Sequence, residues 1–220
     1  MGGLFITLEG IEGSGKSTQL EFLKDRFSRH GLPCTFTKEP GGTVLGRGIR
    51  TILLEPHPSG ERWCPQAELL LFCADRAQHI ETTIKPALKA GRIVVSDRFE
   101  DSTRAYQGAQ GIDGDSLAAL RQIILKGLRP DLTLLLDACP EEALSRANSR
   151  NSAEAAFSET RFDHETLDFH KRVRDEFLRI ASLEPSRFCL IKADEDKECV
   201  AGSIWAAVAP KLAAAGFVLR

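Results

Sequence analysis

Short apolar runs alternate with amphipathic stretches along the whole chain. Phe5, Ile6 and Leu8, with β-branched Thr7 among them, read as a buried strand. Thr18, Leu20, Phe22, Leu23 and Phe27 follow at near-helical spacing, and Gly31-Leu-Pro33 ends that pattern. Cys34–Lys38 (CTFTK) is β-branched and aromatic and is predicted as a second strand, with Glu39-Pro-Gly-Gly-Thr43 as the loop at its end. Leu45–Leu54 has the period of a short amphipathic helix. Pro65 opens a long helix running to about Lys89, with Pro86 as a kink or a break.

Ile93–Ser96 is an uninterrupted strand ending in Asp97-Arg98. The segment Phe99–Gln110 is dense in hydrogen-bonding side chains, and Leu117–Leu128 is a further amphipathic helix stopped by Gly127 and Pro130. Leu132–Leu136 is the next buried strand, ending at Asp137. Pro140 opens a helix through Arg146, followed by the polar, alanine-rich stretch Asn148–Glu159. A strong helix at Leu167–Ala181, a strand at Phe188–Ile191 and a last helix to about Leu212, interrupted by Pro210, complete the chain. Five βα units imply an α/β fold, a five-stranded parallel sheet with helices on both faces. The expectation is one domain, residues 1–220, with a mobile lid at about 146–161.

The loop after the first strand changes the picture from fold to chemistry. Gly10-Ile11-Glu12-Gly13-Ser14-Gly15-Lys16-Ser17 fits G-x-x-x-x-G-K-[ST], flanked by the strand and helix that a P-loop requires. Its glycines admit backbone angles and close approaches that a Cβ forbids, so the loop N–H groups can converge on phosphate oxygens. The helix N-terminus adds partial positive charge. Lys16 can reach the outer phosphates and the Ser17 hydroxyl can ligate Mg²⁺. Residues Gly10 to Thr18 are therefore the candidate nucleoside-triphosphate site.

Composition narrows the classes. With 220 residues, 42% hydrophobic and 27% charged, the chain is long enough for a sizeable core. A formal net charge of −2 gives no basic field for nucleic acid or an acidic membrane. No apolar run is long enough to span a bilayer, and no signal-peptide pattern precedes the first strand. The six scattered cysteines lack a C-x-x-C pair, which reads as reduced, buried thiols in a cytoplasmic protein.

Two strands end in Asp, and either Asp97 or Asp137 could hold Mg²⁺ or its waters. Asp97 is favoured because Arg98, a planar bidentate phosphate donor, follows at once. Glu39 and Thr43 stand at a strand's carboxyl end, where ligands gather in such sheets, although a plain turn explains them equally well. Phe72 and Arg76 share a helix face; spacing alone favours core packing for Phe72 and a solvated face for Arg76. The base-recognition motif N-K-x-D of guanine-nucleotide switches is absent. A kinase needs a second phosphate site, which Arg50, Arg76 and Arg98 can supply, and a cover that excludes water, which the arginine-bearing stretch 146–161 resembles.

At this point the chain resembles the bacterial thymidylate kinases over nearly its whole length. The likeness rests on FITLEGIEGSGKSTQ, TKEPGGT, ELLLFCADRAQHI, VVSDRFEDSTRAYQG, LLLDACPEEALSR and RFDHETLDFHKRVRDEFL, in that order. It makes Gly10 to Thr18 an ATP site and implies transfer of the ATP γ-phosphoryl group to dTMP, with Mg²⁺, in dTTP biosynthesis. Carried over position by position, Phe72 would stack on thymine and Arg76 would hydrogen-bond the base. Ser102, Tyr106 and Gln107 would line the base and sugar pocket, to which Glu39 also belongs. Arg98 would hold the acceptor phosphate with Arg50 nearby, Asp97 and Ser17 would serve Mg²⁺, and Glu12 would face the 3′-hydroxyl.

In the eukaryotic type an arginine follows the acid where Gly13 stands here, so lid arginines, Arg150 and Arg161, are the candidates to stabilise the transferring group. Lys38 stands where the family commonly has arginine, and Asn148–Glu159 is longer than usual. A homodimer is implied by the same resemblance. The competing readings are another P-loop nucleoside monophosphate or deoxynucleoside kinase, and an ATP-dependent switch that transfers nothing.

Overall fold

Leu4–Glu9 (β1) is buried along its whole length, as a strand covered on both faces must be. The computed structural model describes residues 2–55, 57–153, 162 and 165–219, with the backbone alone at 148 and 150–153. β1 is followed by Lys16–Arg29 (α1), Cys34–Lys38 (β2), Val44–Leu54 (α2) and Pro65–His79 (α3). A π-helical turn, Ile80–Ile84, joins α3 to Lys85–Lys89 (α4). Then come Ile93–Asp97 (β3), Glu100–Ala109 (α5), Gly114–Leu125 (α6), Leu132–Asp137 (β4) and Pro140–Ala153 (α7). Leu167–Leu183 (α8), Phe188–Lys192 (β5) and Lys197–Ala214 (α9) close the order.

The five strands form one sheet in the order β2-β3-β1-β4-β5, every neighbour parallel. β1 is central, and the chain leaves it first toward β3 and β2 and later toward β4 and β5. Such a reversal opens a crevice beyond the carboxyl ends of the strands. Register makes this concrete, because Leu8 of β1 and Lys38 of β2 both pair with Asp97 of β3. The P-loop, Glu39 and Asp97-Arg98 thus leave the sheet at the same level.

Side chains alternate across a strand. Leu4, Ile6 and Leu8 belong to the larger core with Leu23 and Phe27 of α1 and Val208 of α9. From the opposite face, Phe5 joins Val94, Ile80, Ile84 and Phe99 in a smaller cluster, with the Phe5 and Phe99 rings edge to face at 5.0 Å. Each fully buried side chain of this size contributes about 1.5–3 kcal/mol. On the same face as Phe5, Thr7 Oγ1 lies 2.9 Å from Thr133 Oγ1, and Glu9 points toward α5.

Several expectations shift. The long helix from Pro65 does reach Lys89 without a break in helical backbone: Pro86 has no N–H to donate and its ring crowds the preceding turn, and the backbone widens into the π turn just before it. Pro210, expected to interrupt the last helix, is contained within α9. The polar segment after Arg98 is a helix, α5, with Glu100 and Asp101 in its first turn. α6 starts earlier than its apolar period, at the Asp113 cap that accepts from Ser116 N at 2.8 Å, and ends on the left-handed Lys126. α7 extends to Ala153, so the polar stretch after Arg146 begins as helix. Of the six cysteines only Cys73 is buried, while Cys64 and Cys199 are exposed. Among the described residues no helix is long and apolar enough to cross a membrane.

Candidate active site

The P-loop joins β1 to α1 with Gly15 (φ 92°) as the helix N-cap. No side chain caps α1, which leaves its first N–H groups to an external acceptor. Lys16 folds back over the loop and donates from Nζ to Gly10 O (2.9 Å), Ile11 O (2.8 Å) and Ser14 Oγ (3.3 Å). Burial, then the nearby Arg98 guanidinium, pushes its ammonium down to about 8, against the pull of Asp97, Glu12 and Glu9. Gly13 (φ 71°) packs on the start of α7 so tightly that a Cβ there would lie 1.8 Å from Ala143 O.

Arg98 has a positive φ of 67°, a costly conformation for a side chain of its size, of the order of 1–3 kcal/mol. Three bonds hold it: Arg98 N to Leu8 O (2.9 Å), Ser96 Oγ to Arg98 O (2.7 Å) and Phe99 N to Glu9 Oε1 (2.8 Å). The turn aims the guanidinium back over the P-loop. Nη1 donates to Gly10 O (2.9 Å) and Ser102 Oγ (3.0 Å), and Nη2 to Glu12 Oε1 (2.9 Å) and Tyr106 Oη (3.3 Å). Tyr106 donates in turn to Glu12 Oε2 at 2.5 Å, and His170 Nδ1 of α8 lies 3.5 Å from that same oxygen.

These charges set the ionisation of the cluster. Burial alone would raise the Glu12 carboxyl, but Arg98 and Lys16 outweigh it and hold it below its ordinary value. Burial opposes the Arg98 charge, yet Tyr106, Glu12 and Asp97 raise its pKa. Burial, with Glu12 beside it, raises the Tyr106 phenol well above its usual range, so it remains a donor.

The cleft between the P-loop and α5 has a volume of about 630 Å³. Glu12, Gly13, Gly15, Lys16, Ser17 and Thr18 line one side. Glu39, Arg50, Phe72, Arg76, Asp97, Arg98, Ser102, Tyr106 and Gln107 line the other. Gly10, Ile11 and Ser14 shape the loop from behind, with Ile11 and Ser14 both 2% exposed.

Arg76 corrects the expectation of a solvated face. It is buried, because its Nε donates to Glu39 Oε2 (2.7 Å) and Nη2 to Phe99 O (3.0 Å) while the guanidinium borders the cleft. Glu39 is itself fixed from the far side: His79 Nδ1 is 2.8 Å from Oε1, and His79 Nε2 is 2.7 Å from Thr37 Oγ1. Both Glu39 oxygens are thereby engaged, and Glu39 bears on the cleft through Arg76. Phe72 packs on the core and also borders the cleft. Thr43 belongs to no site; its hydroxyl caps α2 by accepting from Gly46 N at 2.8 Å. Arg50 Nη1 donates to Pro40 O (2.9 Å), and Gln107 Nε2 to Glu68 Oε1 (2.7 Å).

The two strand-end acids separate. Asp137 is bound by Arg174 of α8 through Nε (2.6 Å) and Nη2 (2.9 Å) and lies off the cleft. Asp97 borders the cleft, and its buried Oδ1 has no hydrogen-bond partner among the described residues. One bare carboxylate oxygen and the Ser17 hydroxyl facing a phosphate-shaped loop fit Mg²⁺, which takes few protein ligands and completes its shell with water and phosphate. Among the described residues no three His, Cys, Asp or Glu side chains form a metal cage of their own.

Arg161 and the side chain of Arg150 lie outside the described residues. Phe162 was not anticipated: it is 5% exposed, borders the cleft and meets the Tyr106 ring edge to face at 5.3 Å. Its carbonyl is 3.1 Å from His170 Nε2. The place of Phe162 in the RFDHETLDFHKRVRDEFL block that carries the family resemblance was the signal available. Glu9, also missed, could have been noticed as an acid closing an otherwise apolar strand.

A profile of the family described as thymidylate kinase matches residues 8–204. A thymidylate kinase of Desulfovibrio desulfuricans is 48% identical over 199 residues, covering 90% of this chain and 91% of that protein. A thymidylate kinase of a Synechococcus species is 45% identical, covering 95% and 96%. The crystal structure of thymidylate kinase from Ehrlichia chaffeensis superposes with a TM-score of 0.73 at 32% identity, covering 94% of this chain and 99% of that one.

Proposed function

The chain belongs to the thymidylate kinase family and phosphorylates dTMP, and from that premise we propose how its residues divide the work. ATP lies along Gly10–Thr18, with the loop N–H groups and the uncapped start of α1 on its phosphates. Lys16 exchanges its loop carbonyls for the outer phosphate oxygens, a substitution that favours its charged form. Ser17 and Asp97 would hold Mg²⁺ directly or through water, and an ion bound there would neutralise phosphate charge and fix phosphate orientation.

The acceptor occupies the α3–α5 side. Phe72 stacks on the thymine ring, and Arg76, clamped by Glu39, hydrogen-bonds the base. Ser102, Tyr106 and Gln107 line the base and sugar. Arg98 takes the acceptor phosphate with Arg50 nearby, and Glu12 faces the 3′-hydroxyl. Lid arginines, Arg150 and Arg161, stabilise the transferring group. The observation that carries this reading is the Glu12–Arg98 pair at 2.9 Å, since it joins the donor loop to the acceptor side.

The chain acts as one domain with a lid at about 146–161, in the cytoplasm, as a homodimer. Exposed Leu70 of α3 and Ile123 of α6, on helices that touch each other, offer apolar surface for that contact. A coupled ADP-release assay with dTMP, dUMP and other monophosphates tests the assignment. Turnover with ATP that dTMP does not stimulate would sink it, and equal use of other monophosphates would favour a broader nucleotide kinase.

A further inference from the structure

Glu9 is the last residue of β1, 0% exposed, and the roles above leave it without one. Its Oε1 accepts from Phe99 N at 2.8 Å, and its Oε2 lies 2.5 Å from Ser102 Oγ. We propose that Glu9 is a positioning residue for the acceptor nucleotide: its carboxyl proton, carried on Oε2, is donated to Ser102 Oγ, which turns the Ser102 hydroxyl into a donor facing the cleft.

The argument is a count of donors and acceptors. A serine hydroxyl has one proton and two lone pairs. Arg98 Nη1, 3.0 Å away, can only donate and takes one lone pair. An ionised Glu9 can only accept, so it would claim the Ser102 proton and leave the cleft a lone pair. A neutral Glu9 fills the second lone pair instead, and the Ser102 proton turns to the cleft. The acceptor's phosphate and hydroxyl oxygens call for that donor. The Phe99 N–H already occupies Oε1 as an acceptor, which assigns the proton to Oε2.

The surroundings favour the neutral acid. Burial raises the carboxyl most, and Asp101 of α5 raises it further, while Ser102, Arg98 and the Phe99 N–H act in the other direction; the result is about 8. Lys16 of α1 is a further cation interacting with this acid. Asp101 is tied to Arg187 by Nη1–Oδ2 (2.7 Å) and Nη2–Oδ1 (2.8 Å), which fixes it beside Glu9. Glu9 also pins the Phe99 N–H, so the same side chain steadies the left-handed Arg98 turn.

This inference rests on the reading of the α5 side as the acceptor site. Its test is the pH dependence of the Michaelis constants of both substrates for wild type, Glu9→Gln and Ser102→Ala. As the pH rises through about 8, the wild-type KM for dTMP should climb about three- to tenfold, the size of one neutral hydrogen bond, while the KM for ATP reports separately on the Lys16 charge. Glu9→Gln presents an amide N–H to Ser102 at every pH, so its KM for dTMP should stay flat. Ser102→Ala should be raised and flat.

A pH-dependent rise that persists in Glu9→Gln, or a flat wild-type profile, overturns the proposal. Loss of the Lys16 charge would appear in the KM for ATP and survive in Glu9→Gln, which separates the two. Infrared spectra of wild type labelled with ¹³C-glutamate cover the case in which Glu9→Gln does not fold. A protonated-carboxyl band that shifts in Ser102→Ala supports the proposal, and a band indifferent to Ser102→Ala contradicts it. Absence of dTMP turnover at every pH would instead refute the acceptor assignment, while the infrared band still reports on Glu9.

Discussion

Glu12 Oε1 and Arg98 Nη2 meet at 2.9 Å, although 86 residues separate them in sequence. One belongs to the loop proposed to cradle the donor phosphates, the other to the strand end proposed to face the acceptor. The Tyr106 hydroxyl closes the triangle on Glu12 Oε2.

Glu12→Ala should therefore leave ATP binding nearly unchanged and damage dTMP use. Losing a charge-assisted contact lowers kcat/KM for dTMP by about 10- to 100-fold. Calorimetric titration with an ATP analogue, beside steady-state kinetics in dTMP, checks both halves. A matching loss of ATP affinity would mean that Glu12 shapes the loop and not the acceptor site.

Arg98→Ala should reduce dTMP binding and transfer far more than ATP binding, by about 100-fold or more in kcat/KM for dTMP. Arg98 also donates to Gly10 O, so a small ATP effect is expected. Equal losses for both nucleotides would relocate the acceptor phosphate.

Phe162→Ala removes a nearly buried ring from the cleft wall and from its edge contact with Tyr106. A several-fold higher KM for dTMP is expected, with a Tm lower by about 5–10 °C from the lost burial. A stability loss with an unaltered KM would make Phe162 a packing residue only.

Glu184 yields a prediction about acid. Burial would raise its carboxyl, but hydrogen bonds from Arg187 Nε (2.8 Å) and Arg104 Nη1 (2.7 Å) hold it at about 2, below the ordinary 4.5. A depressed folded-state pKa means stabilisation that is complete above about 4.5 and lost as the pH falls toward 2. Glu184→Gln should lower the Tm by about 3–8 °C at pH 7, and the gap should close between pH 4.5 and 2. A gap independent of pH would argue against the ionised carboxylate as its source.

How far the sequence reveals all this depends on what each element is built from. β2 was legible to the residue because β-branched and aromatic side chains leave little alternative. α5 was not read as a helix because its buried residues include Asp101 and Gln107, paired with distant partners that no local period displays. Arg76 was misjudged for a related reason: helical spacing cannot distinguish a face turned to water from one turned to a cleft. The P-loop, by contrast, announces itself as a motif of adjacent residues, although Arg98, Tyr106 and α7 pack on it from far along the chain. Asp97 could be preferred over Asp137 from its neighbour Arg98, but only the Arg174 fork shows why Asp137 is withdrawn from the cleft.

The contact between Gly13 and Ala143 bears on how this enzyme could be redesigned. Placing a cation on the donor loop by Gly13→Arg would look like a conservative graft from the eukaryotic type. Here the carbonyl of α7 occupies the space the new Cβ would need, 1.8 Å away, at a position with φ of 71°. The graft must move a helix before it can add a charge. The path between the two kinase architectures therefore cannot be crossed in a single residue exchange, and a designer has to begin with α7.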